Sequence, residues 1–379
     1  MTRTFSAHLG RTALAVLGLV VLGGCERDKR YVHVVFERFD LAADRAGLSE
    51  VTDPQLVNPM GLQVSPGNNF WVANNATGTV TVYQRDGTPL PASAPLVVTL
   101  PVPATLAAGT IAQATGIAYH GGYGLEIASG DQRASARFLV TTREGTLLGY
   151  NPDLDRESAV IAVDNSPSGA VYRGLSVVAF RSGSRVYATN FHSGKVDVFD
   201  QNFAPATDLD SAAFEDLELP AGYAPFGIQR INGRLYVSYA EQDADGRDPV
   251  AGPGKGYIDA FALDGQFLGR IASEGELDAP WGMALAPWSM PFYSGALFVG
   301  NVGDGRIHAF DLWNLTSLGS LNDTFDQPLV IDGLGDLTFG YGLDGYLELY
   351  FAAGPNGGAN GAFGTLIPRI IDVDPPPSE

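Results

Sequence analysis

A short phrase centred on glycine recurs six times along this 379-residue chain, at intervals of 53 to 58 residues. Each copy continues into a short apolar run, as in Ala224-Pro225-Phe226-Gly227-Ile228. The repeated glycines are Gly61, Gly116, Gly174, Gly227, Gly282 and Gly335. A regular period of this length indicates units that cannot bury their apolar faces alone and must pack against one another. The chain is therefore expected to form one body of six stacked units.

Each unit also carries strand signals in a constant order. The first unit has an apolar run at Phe70–Ala73, a glycine-containing turn, and an alternating run at Gly78–Tyr83 that ends in an aromatic residue. Alternation with period two predicts strands that are packed on one face. A fourth strand is expected in five of the units, at Leu96–Leu100, Ala159–Val163, Leu217–Leu219, Gly269–Ala272 and Pro328–Ile331.

The sixth unit has no fourth strand of its own, and a spare strand, His33–Phe39, precedes the first unit. If this strand pairs with the third strand of the last unit, the ring closes and no sheet edge is left free. The predicted fold is all-β: a six-bladed β-propeller with four antiparallel strands per blade, closed by the N-terminal strand, over residues 33–370. A β-helix is the alternative, but it uses shorter coils and needs no such closure.

Composition excludes several other classes. Glycine (47) and proline (24) are too frequent for a helical bundle, whereas a 45% hydrophobic content argues against a disordered chain. The formal net charge of -19 excludes a non-specific nucleic-acid binder, which needs a basic surface to displace counterions. One cysteine excludes an intramolecular disulfide framework and a multi-cysteine metal site.

The N-terminus has the pattern of an export signal. Arg3 and Arg11 precede a short apolar run at Thr12–Val21, and Leu22-Gly23-Gly24-Cys25 follows. This segment resembles a bacterial lipobox, which implies a lipoprotein signal peptide at 1–24, lipid attachment to Cys25 and a tether at 25–32. Glu26, rather than Asp, then favours the outer membrane of a Gram-negative host. The expected location is the cell envelope, facing the periplasm or the exterior, and residues 371–379 are expected to form a disordered tail.

The repeat phrases resemble those of NHL-type propellers, and more fully those of a bacterial exported propeller family of uncharacterised function. The resemblance covers nearly all of residues 36–368. It is carried by Asn58-Pro59-Met60-Gly61-Leu62, Phe70-Trp71-Val72-Ala73-Asn74-Asn75, Asn190-Phe191-His192-Ser193-Gly194-Lys195 and Ala279-Pro280-Trp281-Gly282. Met60 and Leu334-Gly335 stand where that family often has tryptophan. The resemblance implies a fold and export, and it implies no activity.

In a propeller, the innermost strands start on the same face where the second strands end, here called the top face. Loops on a rigid scaffold are the usual place for binding residues, so this face is the expected site. The candidate ligand-binding residues are Asn75, Arg143, Arg173, His192, Glu241, Asp243 and Asp304. The ligand could be a protein, a glycan or a small molecule, and the membrane is contacted through the N-terminal lipid.

Two readings of the candidate residues stay open. Asn74, Asn190 and Asn301 recur at one repeat position, where an asparagine side chain can bond to the backbone of the following turn. With Glu241 they could instead hold calcium, by analogy with gluconolactonase-like propellers, and the chain would then be a metal-dependent hydrolase or lactonase. No Gly-x-Ser-x-Gly elbow and no His-x3-His pair occurs. A binding module without a cofactor is therefore favoured over an enzyme.

Overall fold

In the computed structural model, which describes residues 31–373, six sheets form the blades of the propeller, and a seventh, two-stranded sheet is inserted in the second blade. The first strands are β1 (Tyr31–Ala43), β2 (Val51–Thr52), β3 (Pro59–Val64), β4 (Phe70–Asn74), β5 (Thr79–Tyr83) and β6 (Val97–Thr99). The next are β7 (Ala114–Tyr119), β8 (Glu126–Ser129), β9 (Gln132–Ser135), β10 (Phe138–Thr142), β11 (Thr146–Tyr150) and β12 (Val160–Asp164). A 3-10 turn, Ser166–Ser168, follows.

The second half of the chain repeats the arrangement. Its strands are β13 (Tyr172–Phe180), β14 (Gly183–Asn190), β15 (Lys195–Phe199), β16 (Tyr223–Ile231), β17 (Arg234–Glu241), β18 (Tyr257–Phe261) and β19 (Phe267–Ser273). The last are β20 (Pro280–Leu285), β21 (Leu297–Asn301), β22 (Ile307–Asp311), β23 (Thr316–Ser320), β24 (Leu334–Tyr341), β25 (Leu347–Ala353) and β26 (Ala362–Val373). The innermost strands of blades 1 to 6 are β3, β7, β13, β16, β20 and β24. The six-bladed propeller is thus confirmed.

Two of the expected fourth strands are wrong. Blade 3 has three strands among the described residues, because the segment at Leu217–Leu219 forms turns in which Asp210 and Asp216 accept backbone N–H groups. In blade 5 the fourth strand is Thr316–Ser320, directly after the turn at Asp311. Pro328–Ile331 makes only isolated bridges, since proline has no N–H to donate.

The ring closes through the N-terminal strand, as expected. β1 pairs with β26 from Tyr31–Val373 to Ala43–Ala362, and β26 pairs with β25. This ribbon is longer than the predicted His33–Phe39, and it includes two residues placed in the tether and three placed in the tail. Cys25, the signal peptide and the rest of the tether and tail lie outside the described residues.

The six repeat glycines lie where neighbouring inner strands approach most closely. A Cβ atom on Gly61, Gly116, Gly174, Gly282 or Gly335 would come within 2.5 to 2.9 Å of backbone in the next blade, and one on Gly227 would collide with the carbonyl of Trp281. The contact from Gly335 reaches Pro59 O, so the circle of close contacts is complete. Their recurrence in the sequence therefore has a steric cause.

Buried hydroxyl groups link successive blades beside these glycines. Thr141, Thr189 and Ser238 each accept the N–H of the repeat glycine in their own blade. Each also donates to a carbonyl in the next blade, at 2.7 to 3.0 Å. Because these bonds are buried, each contributes to holding one blade against the next.

Replacing Gly174 with alanine is expected to lower the free energy of unfolding by about 2 kcal/mol, because the added methyl group must displace backbone. Its Cβ would lie 2.7 Å from Ile228 N. Gly67→Ala is the matched control, since its nearest neighbour is a side-chain atom at 3.4 Å. Urea denaturation measures both variants, and equal stability would contradict the steric explanation.

Candidate functional site

A narrow channel runs along the propeller axis between the innermost strands. Its cavity volume is about 30 Å³, which holds roughly two water molecules. The wall is mostly glycine and apolar side chains, and its polar members are Gln63, Gln229, Asp336 and Thr338. The channel itself is therefore too small for an organic ligand.

Asp336 is the carboxylate in the channel wall. It occupies the position after the repeat glycine, where the other five blades carry Leu62, Ile117, Leu175, Ile228 and Met283. Its two oxygens accept the backbone N–H groups of Leu62, at 3.1 Å, and Leu337, at 2.9 Å. Burial raises the pKa of the Asp336 carboxyl to about 7, although both N–H bonds act in the opposite direction.

The residues before the repeat glycines lie near the starts of the innermost strands, at the top-face end of the blades, and this end of the channel is here called the channel mouth. They are Met60, Thr115, Arg173, Phe226, Trp281 and Leu334. Phe226 and Trp281 contact each other edge to face, with ring centroids 4.7 Å apart, and belong to a buried apolar cluster with Phe191. Arg173 is the one charged residue of the channel mouth, in a position that the other blades fill with uncharged residues.

Arg173 is held between aromatic rings and a carboxylate. Only 6% of the residue is exposed, and its guanidinium carbon lies 5.7 Å from the ring centroids of both Phe191 and Phe226. Its Nη2 donates to Asp248 Oδ1 at 2.9 Å and to the carbonyl of Arg247. Burial lowers the pKa of the Arg173 guanidinium to about 10, which leaves it charged at neutral pH.

Asp248 belongs to a hairpin that the fourth blade inserts between β17 and β18. Residues 242–249 pair through the bridge Gln242–Pro249, and Asp243 N donates to Asp248 O at 2.9 Å. The hairpin lies over blade 3, where Gln242 Nε2 donates to Phe191 O at 2.5 Å. Asp248 Oδ2 also accepts from Nη2 of Arg143, which follows β10 in blade 2. Three blades therefore meet at one carboxylate.

The structure brings several other predicted residues near this hairpin. His192 Nδ1 lies 3.2 Å from Asp245 O, and Asp243 Oδ1 accepts from Arg247 N at 2.7 Å. Backbone hydrogen bonds lower the pKa of Asp243, the bond from Arg247 most. Glu241 forms an ion pair with Lys255 Nζ at 3.0 Å at the base of the insert. Asp243 thus shapes the hairpin, while Arg143 and Arg173 bind it from the blades.

The recurrent asparagines each donate their side-chain amide to a neighbouring residue of the protein. Asn74 Nδ2 donates to the hydroxyls of Thr79 and Thr81. Asn190 Nδ2 donates to Asp197, and Asn190 Oδ1 accepts Ser193 N at 3.3 Å, which is the turn contact considered above. Asn301 Nδ2 donates to Glu276 O at 2.8 Å. Their amide nitrogens are thus committed to blades 1, 3 and 5.

The two remaining candidate residues of the top face, Asn75 and Asp304, also have partners within the protein. Asn75 Nδ2 donates to Ala114 O at 2.9 Å and so joins blade 1 to blade 2, whereas Asp304 Oδ1 accepts Arg306 N in an exposed turn.

Within residues 31–373, no group of three or more His, Cys, Asp or Glu side chains could hold a metal ion. Among the same residues, no helix has the length and hydropathy needed to cross a membrane.

Asp248 and Asp336 were not singled out as site residues from the sequence, although a signal for each was present. Asp336 breaks the repeat at a position that is otherwise apolar, and an alignment of the six copies shows this directly. Asp248 lies in the segment 243–248, which also contains Asp243 and Asp245, but its partner Arg143 is 105 residues away, and no local pattern reports such a contact.

The fold and the channel mouth define a class of protein: a six-bladed propeller whose ring is closed by its N-terminal strand, with a charged insert over one end of its axis. No family model matches the chain. It is 33% identical over 334 residues to Uncharacterized protein R648 of Acanthamoeba polyphaga mimivirus, covering 86% of this chain and 78% of that protein. Uncharacterized protein L690 of the same virus is 33% identical over 335 residues, covering 86% and 84%. The chain belongs to the family of these uncharacterised proteins.

A solved structure supports the fold. A protein of unknown function from Bacteroides thetaiotaomicron superposes with a TM-score of 0.52 at 10% identity, covering 89% of this chain and 76% of that one. At this identity the likeness concerns the fold alone. The prediction of an uncharacterised propeller family is therefore supported. Its bacterial origin is not, because the two sequence relatives described above are viral proteins.

Proposed function

We propose that this protein is a lipid-anchored binding module of the bacterial cell envelope, and that its ligand site is the channel mouth on the top face. The observation that carries the binding role is the hairpin at 242–249, which brings Asp248 onto arginines of two other blades. The ligand is a protein, a glycan or a small molecule that approaches from this face.

The hairpin is longer than a connection between the second and third strands of a propeller blade needs to be. In the other five blades, the connection between the second and third strands has three to eight residues, whereas in blade 4 it has fifteen. A short turn is sufficient to join two antiparallel strands. An insert that is ordered over a buried arginine therefore indicates a role at the channel mouth, and loops on a rigid scaffold commonly have such roles.

Lipid anchoring is supported by the N-terminal sequence and by exposed aromatic side chains in loops that contact β1. Five residues, 26–30, separate Cys25, the proposed site of acylation, from β1, so the lipid would be attached at most ~20 Å from the start of that strand. Exposed aromatic side chains lie in loops that β1 contacts. Phe325 is 82% exposed beside Asp326, which contacts His33, and Trp288 is 67% exposed in the loop whose Tyr293 packs on Phe36. Aromatic residues of this kind suit a membrane interface.

Replacing Cys25 with alanine is expected to move the protein from the membrane fraction to the soluble fraction of a Gram-negative host, because no thiol remains for acylation. Fractionation and labelling with a radioactive fatty acid measure this change. Glu26→Asp is the matched variant: it keeps the label and is expected to shift the protein from the outer to the inner membrane. Membrane retention of the unlabelled Cys25→Ala protein would overturn the anchor.

A further inference from the structure

We infer that Arg143 and Arg173 form a binding site for a carboxylate group of the ligand, and that Asp248 occupies this site as a built-in substitute. The inference rests on the proposed function in placing the ligand at the channel mouth, and it adds the chemical class of the ligand. The two arginines belong to the rigid blades 2 and 3, while the carboxylate belongs to the insert of blade 4.

The geometry is that of a carboxylate shared between two guanidinium groups. Asp248 Oδ1 accepts from Arg173, and Asp248 Oδ2 accepts from Arg143. Charge-assisted bonds of this kind are the strongest that arginine makes, and planar guanidinium groups are suited to carboxylates. A free ligand with one carboxylate could form the same two bonds once Asp248 is displaced.

Both arginines have donors that Asp248 does not use. The Nε atoms of Arg143 and Arg173 are buried and have no hydrogen-bond partner. Arg173 is 6% exposed, and burying a charged group without full pairing costs free energy. The propeller does not need a charge here, because the equivalent residues of the other blades are Met60, Thr115, Phe226, Trp281 and Leu334. A binding role explains why this cost is retained.

A purely structural role for Asp248, as a latch for the hairpin, is less well supported. The hairpin has its own backbone bridge at Gln242–Pro249. It is also held to blade 3 by Gln242, which donates to Phe191 O, and by His192 Nδ1, 3.2 Å from Asp245 O. These contacts remain when the Asp248 carboxylate is removed, as does the bond from Arg173 Nη2 to the carbonyl of Arg247, so the carboxylate position between the two arginines would become vacant while the hairpin stays attached.

The experiment compares citrate binding by wild type, Asp248→Ala and Asp245→Ala, using titration calorimetry at low salt. A tethered competitor acts at an effective concentration of millimolar or more, so removing it is expected to lower the apparent Kd for citrate at least about tenfold. Asp245→Ala is the matched control, because it removes the same charge from an exposed position of the same hairpin. Adding Arg143→Gln to Asp248→Ala is expected to raise the Kd again by about tenfold.

The other possible results of this experiment would each overturn the carboxylate site or the channel-mouth site. Equal citrate binding by all three proteins, or none by Asp248→Ala, overturns the carboxylate site. The carboxylate site is also overturned if Asp248→Ala becomes sensitive to protease at residues 242–250 and does not bind citrate. That result would show that Asp248 serves only to hold the hairpin in place. The neutral trisaccharide maltotriose is titrated in parallel. If maltotriose binds and citrate does not, the channel mouth remains the site and only the ligand class fails; if neither binds, both proposals fail at this face. The anchor is tested separately through Cys25.

Discussion

Replacing Phe36 with alanine is expected to lower the free energy of unfolding by about 4 kcal/mol, the usual cost of removing a fully buried phenylalanine ring. Phe36 lies in β1, is 1% exposed and packs against Tyr293 and Phe298 at 6.0 and 6.3 Å between ring centroids. It therefore joins the closing strand to blade 5 as well as to its own sheet. The loss should appear in urea denaturation.

The matched control for this variant is Phe39→Ala in the same strand. Phe39 is 38% exposed, so its removal is expected to cost less than half as much. Limited proteolysis adds a second measurement: in Phe36→Ala, the first cleavage is expected within residues 31–43, because the ring opens at its closing strand. Equal costs for the two variants would contradict the role of β1 as the closing element.

Replacing Asp336 with asparagine is expected to stabilise the protein at pH 8 by about 3 kcal/mol. The pKa of the Asp336 carboxyl is raised to about 7 by burial, against about 4 in an unfolded chain. The folded state thus binds this proton more tightly than the unfolded state. Its contribution to stability is complete below pH 4 and is lost as the pH rises through 7, which amounts to about 4 kcal/mol. Asparagine avoids that loss but can accept only one of the two N–H bonds.

The measurement is the difference in unfolding free energy between wild type and Asp336→Asn from pH 4 to pH 8. This difference should favour the variant increasingly as the pH rises, and it should vanish or reverse near pH 4. Asp259, whose pKa burial also raises to about 7, is present in both proteins and so does not enter the difference. Asp344→Asn, in an exposed turn, controls for the loss of one charge. A difference that does not depend on pH would contradict the raised pKa.

Most of the propeller could be predicted from the sequence because the same steric constraint recurs in every blade. Each repeat glycine is required by the same close approach between inner strands, so the steric constraint is written six times in the sequence. The outermost strands could be predicted less well, because they pack on one side only. At 210–219 the aspartates stabilise turns instead, and the fourth strand of blade 5 follows its turn at once, before the proline-containing stretch.

The site could be predicted only in part, for a related reason. Arg143, Arg173 and Asp243 were among the candidate residues, and the top face was the expected place for them. That one carboxylate joins the two arginines depends on how far the hairpin of blade 4 extends across blade 3. Local sequence patterns contain no information on that distance.

The position of β1 also sets the order of events during synthesis. Glu37 and Arg369, which bond across the closing ribbon, are 332 residues apart, so the first and the last strands of the described residues pair with each other. Until β26 has left the ribosome or the export channel, β1 has an unpaired edge and its apolar side chains lack their partners. Contacts this distant in sequence form late and slowly, and chains with exposed strand edges aggregate easily. Folding of this propeller therefore finishes only after both β1 and β26 have been delivered, which is compatible with the export proposed above.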